Sequence, residues 1–242
     1  MTFPGSRRCC RRCAATRSCL RRQQTPWSFF APSAHRRRKE DQRSFVCAPL
    51  NRIRNSLLRA LGAEPAEWDL LFAEAQKLDA SSRTVFPLRV YLEELRSPYN
   101  VGAIFRTAEA FGVERIYLSP GSPSPDHPRA QRTARGTAQV VPWSYSPLSL
   151  LESEEGVFAL ELGGTPVGEF AFPPCGIVLV GSEELGLSPE ALRIAEAGAG
   201  RVCLPMAGAK RSLNVAVAFG ILMYAWFTRL AAPETHRPPG QE

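Results

Sequence analysis

From residue 88 onward, short apolar runs alternate with stretches whose apolar positions recur at helical spacing. Residues 88–92 (LRVYL), 115–118 (RIYL), 140–141, 157–162, 177–180 (IVLV) and 202–204 read as strands. Between them, 101–111, 129–136, 148–154 and 189–196 read as helices, the last with Ser188 as its natural N-cap. Gly112 breaks the first helix, Ser119-Pro120-Gly121 stops the second strand, and three prolines mark 122–128 as a loop. Strands alternating with helices predict an α/β fold, a parallel sheet flanked by helices. Residues 213–230 predict a long final helix. Its almost wholly apolar part, 213–227, is 15 residues and contains Asn214. A membrane span needs about 20. The pattern therefore predicts a buried helix, shared with a second subunit, and no membrane contact.

Upstream of the sheet the pattern changes twice. Residues 51–79 read as one or two helices, with Leu57, Leu58 and Leu61 on one face and Trp68, Leu71, Phe72, Ala75 and Leu78 on another. Pro65 fits a first helical turn. Residues 1–45 have no apolar periodicity and combine arginine clusters with Pro, Ser and Gln, as disordered segments do. The expected division is a basic arm (1–46), a helical lead-in (47–84), an α/β domain (85–231) and a disordered tail (232–242).

Composition changes this picture only at the arm. The chain has 242 residues, 44% hydrophobic and 22% charged, enough for one globular domain with extensions. Its net charge of +7 is unevenly spread: residues 1–46 hold 12 of the 30 Lys and Arg and two of the 23 acids. The arm thus carries +10 and the body −3. Bulk positive charge on the folded surface is excluded as a route to nucleic acid. Three readings fit the arm: an RNA-holding extension, an Arg-rich organelle transit peptide, or residues upstream of the true start. Seven cysteines and no apolar signal core predict free thiols and a cytoplasmic protein, organellar if the arm is a transit peptide. Cys10 and Cys13 have zinc-knuckle spacing, but no second ligand pair follows, so no metal is expected.

Three motifs carry candidate chemistry. The first, 100–113 (NVGAIFRTAEAFGV), opens a helix directly after a strand, where free backbone N–H groups favour anions. Its Arg106 alone would pass for a surface residue of an amphipathic helix. The second, 180–187 (VGSEELGL), is a Gly-bounded loop after a buried strand, where α/β proteins place ligands. It lacks both GxGxxG spacing and a Walker Lys-Ser/Thr pair. The third, 204–218 (LPMAGAKRSLNVAVA), turns from a strand into the apolar helix. Ser212 reads as an N-cap, whereas Asn214, a polar amide heading an apolar helix, needs partners.

Together, in this order and spacing, the three motifs resemble the SpoU (TrmH-like) branch of the SPOUT RNA methyltransferases. The segment 133–137 (TARGT) also looks like the family's stretch between the first two motifs. The likeness covers roughly residues 88–226. It implies a C-terminal trefoil knot, a homodimer, S-adenosylmethionine as methyl donor, and a ribose 2′-hydroxyl of structured tRNA or rRNA as acceptor, with no DNA partner. It implies cofactor binding by Leu162, Gly163, Gly181, Glu183, Gly186, Leu187, Leu204, Met206, Ser212 and Leu213. Around the reacting centre it implies Asn100, Arg106, Glu183, Ser212 and Asn214, with residues of the first motif facing the partner's cofactor. A guanidinium is effectively always protonated, so Arg106 is expected to grip a phosphate or steady an alkoxide rather than act as base. Arg106, Arg129, Arg132, Arg135, Lys210 and Arg211 are the expected RNA contacts, the middle three reading equally well as a solvated helix face. The rival is an RNA-binding factor that kept the fold without catalysis.

Overall fold

β1 (Phe86–Leu92) shows why the chain folds as it does. Leu88, Val90 and Leu92 are fully buried on one side, while Arg89 and Tyr91 are buried on the other. A strand covered on both faces belongs in the middle of a parallel sheet. The computed structural model, which describes residues 83–209 and 212–231 and a few positions between 53 and 78, puts it there.

The elements that follow are α1 (Pro98–Ala110), β2 (Val113–Leu118), α2 (Pro128–Ala134), β3 (Trp143–Tyr145), β4 (Val157–Pro166), β5 (Gly176–Val180), α3 (Pro189–Ala197), β6 (Gly200–Cys203) and α4 (Val215–Ala231). The six strands lie in the order β3-β2-β1-β5-β4-β6, and every pairing is parallel. The chain builds outward from β1 to β3, returns on the far side with β4, and then inserts β5 between β1 and β4. The direction of winding reverses at the β1/β5 boundary, so the loops leaving these strands diverge and open a crevice.

On one face α1 and α4 cover the sheet with Val101, Ile104, Phe105, Phe219, Leu222, Met223 and Trp226. Trp226 is fully buried, its indole N–H donates to Pro173 O at 2.9 Å, and its ring meets Phe158 edge-on at 4.8 Å. On the other face, Ala191 and Ala195 of α3 pack near Tyr91, Ile177 and Leu179. Arg89 is buried on this side and pairs with Glu154 at 2.7 Å. α2 lies against α1 so closely that a Cβ on Gly102 would stand 2.1 Å from both Ala130 O and Thr133 Oγ1. Only glycine fits there.

Several expected elements shift. Residues 140–141 are not a strand: Val141 is buried behind a 3-10 turn, Thr137–Gln139, and the strand falls at Trp143–Tyr145. Residues 148–154 form a 3-10 helix, Leu148–Ser153, rather than an α-helix. α1 starts three residues before the expected Val101, because Pro98 suits a first helical turn. α4 starts at Val215, two residues late, because Asn214 caps it: its Oδ1 accepts from Ala216 N at 2.9 Å and Val217 N at 3.3 Å. Ser212 is therefore not the cap. The final helix is also not buried throughout, since Val217, Ile221 and Tyr224 are 52%, 43% and 61% exposed. Residues 1–46 and 232–242 lie outside the described residues, as does most of the lead-in, where Ile53, Leu57, Leu58 and Ala60 are helical. No helix among the described residues is long and apolar enough to cross a membrane.

Candidate active site at the carboxyl end of the sheet

All six strands point the same way, so the loops after them gather at one end. The loop after β5, residues 181–187, is a tight turn closed by Ser182 N to Gly186 O at 3.0 Å and Gly186 N to Ser182 O at 2.9 Å. Gly186 has φ +69°, and a Cβ there would lie 2.5 Å from the Glu161 carboxylate. The turn projects Glu183 across the crevice toward the loop after β1. Its Oε2 accepts from Arg96 N at 2.9 Å, and its Oε1 from Ser97 N at 3.1 Å and Asn100 Nδ2 at 2.7 Å. Asn100 Oδ1 in turn accepts from Asn214 Nδ2 at 3.0 Å. One chain of hydrogen bonds thus joins Glu183, Asn100, Asn214 and the first turn of α4. The three motifs, spread over more than a hundred residues, meet here.

Burial alone would raise the Glu183 carboxyl. The donors from Arg96, Asn100, its own backbone and Ser97 outweigh burial and hold it below the usual carboxylate range. Nearby Tyr91 moves the other way, pushed up to about 12 by burial and then by Glu93 and Glu94. Its hydroxyl donates to Ser146 O at 3.2 Å. Neither group is suited to take a proton near neutral pH.

Beside this cluster, at the ends of β4 and β6, lies a cavity of about 390 Å³ lined by Leu162, Gly163, Cys203, Leu204, Met206 and Gly208, among others. Small residues let main chain reach an occupant, and the volume falls in the range of small-molecule sites. Four of the expected cofactor residues, Leu162, Gly163, Leu204 and Met206, line it. Gly181 and Leu187 are buried in the neighbouring turn, while Ser212 and Leu213 are exposed just before α4. Among the described residues no group of His, Cys, Asp and Glu is arranged to hold a metal.

Arg106 is not part of the cluster. It lies six residues beyond Asn100, which on an α-helix is about 9 Å along the axis and about 120° round it. It is exposed and has no hydrogen-bond or ion-pair partner among the described residues. Arg129, Arg132 and Arg135 are exposed along α2 and its end, with Arg129 6.0 Å above the Tyr99 ring. Lys210 and Arg211 lie outside the described residues.

Two carboxylates escaped the sequence reading. Glu93, buried at the end of β1, accepts from Ser188 N and Ser188 Oγ, both at 2.7 Å. Glu161 accepts from Leu162 N at 2.9 Å and Leu187 N at 3.2 Å. Glu161 anchors the 181–187 turn itself, and Glu93 the residue that follows it. Their only sequence signal is an acid closing an apolar run.

A parallel sheet with a polar cluster at its switch point and a cavity beside it is the arrangement of an open α/β domain, whose switch point is where that class places its ligands. The pattern of the SpoU rRNA Methylase family matches residues 87–224, and the chain belongs to that family. It is 33% identical over 144 residues to an uncharacterized tRNA/rRNA methyltransferase of Synechocystis, covering 57% of this chain and 52% of that protein. It is 30% identical over 145 residues to the tRNA (guanosine(18)-2′-O)-methyltransferase of Escherichia coli K12, covering 57% of this chain and 61% of that one. The AdoMet-bound rRNA methyltransferase from Sinorhizobium meliloti superposes with a TM-score of 0.54 at 26% identity, over 60% of this chain and 58% of that one. The chain thus spans less than two thirds of the length of these relatives.

Proposed function

We propose that this chain transfers a methyl group from S-adenosylmethionine to a ribose 2′-hydroxyl of tRNA or rRNA. The convergence of Asn100, Glu183 and Asn214 beside a small-residue cavity carries the proposal. The names of the Escherichia coli and Sinorhizobium meliloti proteins support the chemistry. The cavity suits the cofactor, because Leu162, Leu204 and Met206 offer apolar side chains while the exposed main chain offers polar groups to an adenosine and a sulfonium-bearing chain. Leu162, Gly163, Leu204 and Met206 hold it, with Gly181, Gly186, Leu187, Ser212 and Leu213 around them. When bound, S-adenosylmethionine supplies an electrophilic methyl on a sulfonium.

The chain's own work is placement. Bringing the ribose hydroxyl oxygen to about 3–3.5 Å from the methyl carbon, in line with the carbon–sulfur bond, removes much of such a barrier. Glu183 stays ionised and fixes the loop after β1, so Asn100 is presented at a defined point. Asn214 ties that point to α4. Arg106 grips a target phosphate or steadies the developing alkoxide.

The proposal includes a homodimer. Val217, Ile221 and Tyr224 recur at i, i+4 and i+7, an exposed apolar stripe on α4 beside α1. A second copy on that stripe would bring Arg106, free in one subunit, to its partner's cavity. It also includes a C-terminal trefoil knot and a cytoplasmic site of action, organellar if residues 1–45 are a transit peptide. Arg129, Arg132 and Arg135, with Lys210 and Arg211, form the RNA path.

Incubating the full chain with tritiated S-adenosylmethionine and bulk RNA from a strain lacking the gene tests the reading. Label on 2′-O-methylated nucleosides after digestion is the expected result. Cofactor binding without RNA label favours the non-catalytic binding factor instead, and no cofactor binding sinks the enzyme.

A further inference from the structure

Glu161 occupies an unusual place on β4. That strand pairs with β6 up to Leu160 opposite Val202, and resumes with Thr165 opposite the same Val202. Residues 161–164 therefore leave the ladder, and this excursion supplies Leu162 and Gly163 to the cavity wall. Glu161 is its first residue and is half-buried. One carboxylate oxygen accepts from Leu162 N at 2.9 Å, the other from Leu187 N at 3.2 Å. The group thus ties Leu162 of the cavity wall to Leu187 of the 181–187 turn. Gly186 lets it approach, since a Cβ there would collide with it.

A carboxylate offers about four acceptor positions, and here two are used, one on each oxygen. No cation pairs with Glu161 among the described residues. The guanidinium on the next strand, Arg201, is engaged by Glu196 at 2.9 Å and by Leu162 O at 3.5 Å. One free acceptor position on each oxygen suits two adjacent O–H donors, as a vicinal ribose diol presents them. In dinucleotide-binding α/β folds an acid accepts the ribose 2′-hydroxyl; Glu161 offers the same chemistry without their glycine fingerprint.

We propose that Glu161 accepts the ribose hydroxyls of the nucleoside cofactor and is a specificity-determining residue of this pocket. The inference rests on the reading of the cavity as the S-adenosylmethionine site. It is tested by equilibrium binding to the full chain, needing no turnover. The probes are S-adenosylmethionine, S-adenosylhomocysteine, and the 2′-deoxy and 3′-deoxy forms of the latter. The wild type should bind each deoxy form about 10–100-fold more weakly, the range for hydrogen bonds to a charged group. Glu161→Gln and Glu161→Ala should weaken both parent ligands by a similar factor and lose the discrimination against the deoxy forms. Thermal melts of the variants report their folding, and the wild-type comparison does not depend on it. Equal wild-type affinity for parent and deoxy forms overturns the assignment. So does a variant that loses S-adenosylmethionine but keeps S-adenosylhomocysteine, since that marks a response to the sulfonium charge. If the wild type binds neither parent ligand, the cavity reading itself falls. If it binds both but ignores the ribose, only the role of Glu161 falls.

Discussion

Replacing Glu183 by Gln removes one charge and almost no volume. The wild-type carboxylate accepts three hydrogen bonds: two at Oε1, from Ser97 N and Asn100 Nδ2, and one at Oε2, from Arg96 N. Glutamine can keep its oxygen toward the first two donors, but then its NH₂ faces the Arg96 N–H. One bond is lost and two are weakened. A dry bond to a charged group contributes about 1.5–3 kcal/mol. Glu183 is exposed on its outer side, so solvent screening reduces this to about 0.5–1 kcal/mol per bond. The expected loss at pH 7 is about 1–2 kcal/mol, a fall in Tm of about 3–6 °C for a domain of this size. The loss must depend on pH. A carboxyl held low in the folded state binds fewer protons there than in the unfolded chain, so it stabilises fully above about pH 4.3, the ordinary Glu value. That stability disappears as pH falls through the depressed value. Melts of wild type and Glu183→Gln should therefore differ at pH 7 and converge toward pH 3. Identical melting at pH 7, or a gap that survives strong acid, would refute the clamp.

Three further substitutions probe other parts. Arg106→Lys should lower kcat at least ~10-fold with cofactor affinity unchanged, because one point charge replaces a fork; near-full activity would end the phosphate or alkoxide role. Ile221→Glu, placed in the exposed stripe of α4, should convert dimer to monomer in light scattering while thermal unfolding of the subunit persists. A monomeric wild type would remove the stripe's proposed purpose. Gly102→Ala should cost about 1–3 kcal/mol in urea unfolding, since its Cβ has no space beside Ala130 and Thr133; unchanged stability would mean that α2 is free to withdraw.

The legible parts of this fold were those whose cause is local. The run of β5 and the alternation along β1 announce buried strands, and Ser188 caps α3 as read, its Oγ accepting from Ala191 N at 3.1 Å. The apolar pair Val140-Val141 misled, because burial behind a turn and burial in a strand look alike over two residues. The ends of α1 and α4 moved because Pro98 and Asn214 set them. Among site residues, Asn214 stood out by itself as a polar amide heading an apolar helix, and Asn100 and Glu183 through a family likeness; the hydrogen bonds that join them span 83 and 114 positions. Glu93 was invisible for the same reason: its partner Ser188 lies 95 residues away. No local pattern encodes such pairs. Arg89 could not be foreseen in a core, since its counterion Glu154 belongs to a different element.

The late arrival of β5 has a consequence for synthesis. β1 ends at residue 92 and β5 begins at 176, yet the two are neighbours throughout the finished sheet. At about 5–20 residues per second, a ribosome takes roughly 4–17 s to make the intervening chain. For that interval one side of β1 is an apolar strand edge with no partner, the kind of template that pairs wrongly with other chains. The first half of the domain, β1 to β3, can assemble early, but it must hold a slot open. Chains stalled before residue 176 therefore carry an aggregation-prone edge at β1, and chains released after residue 180 have closed that edge.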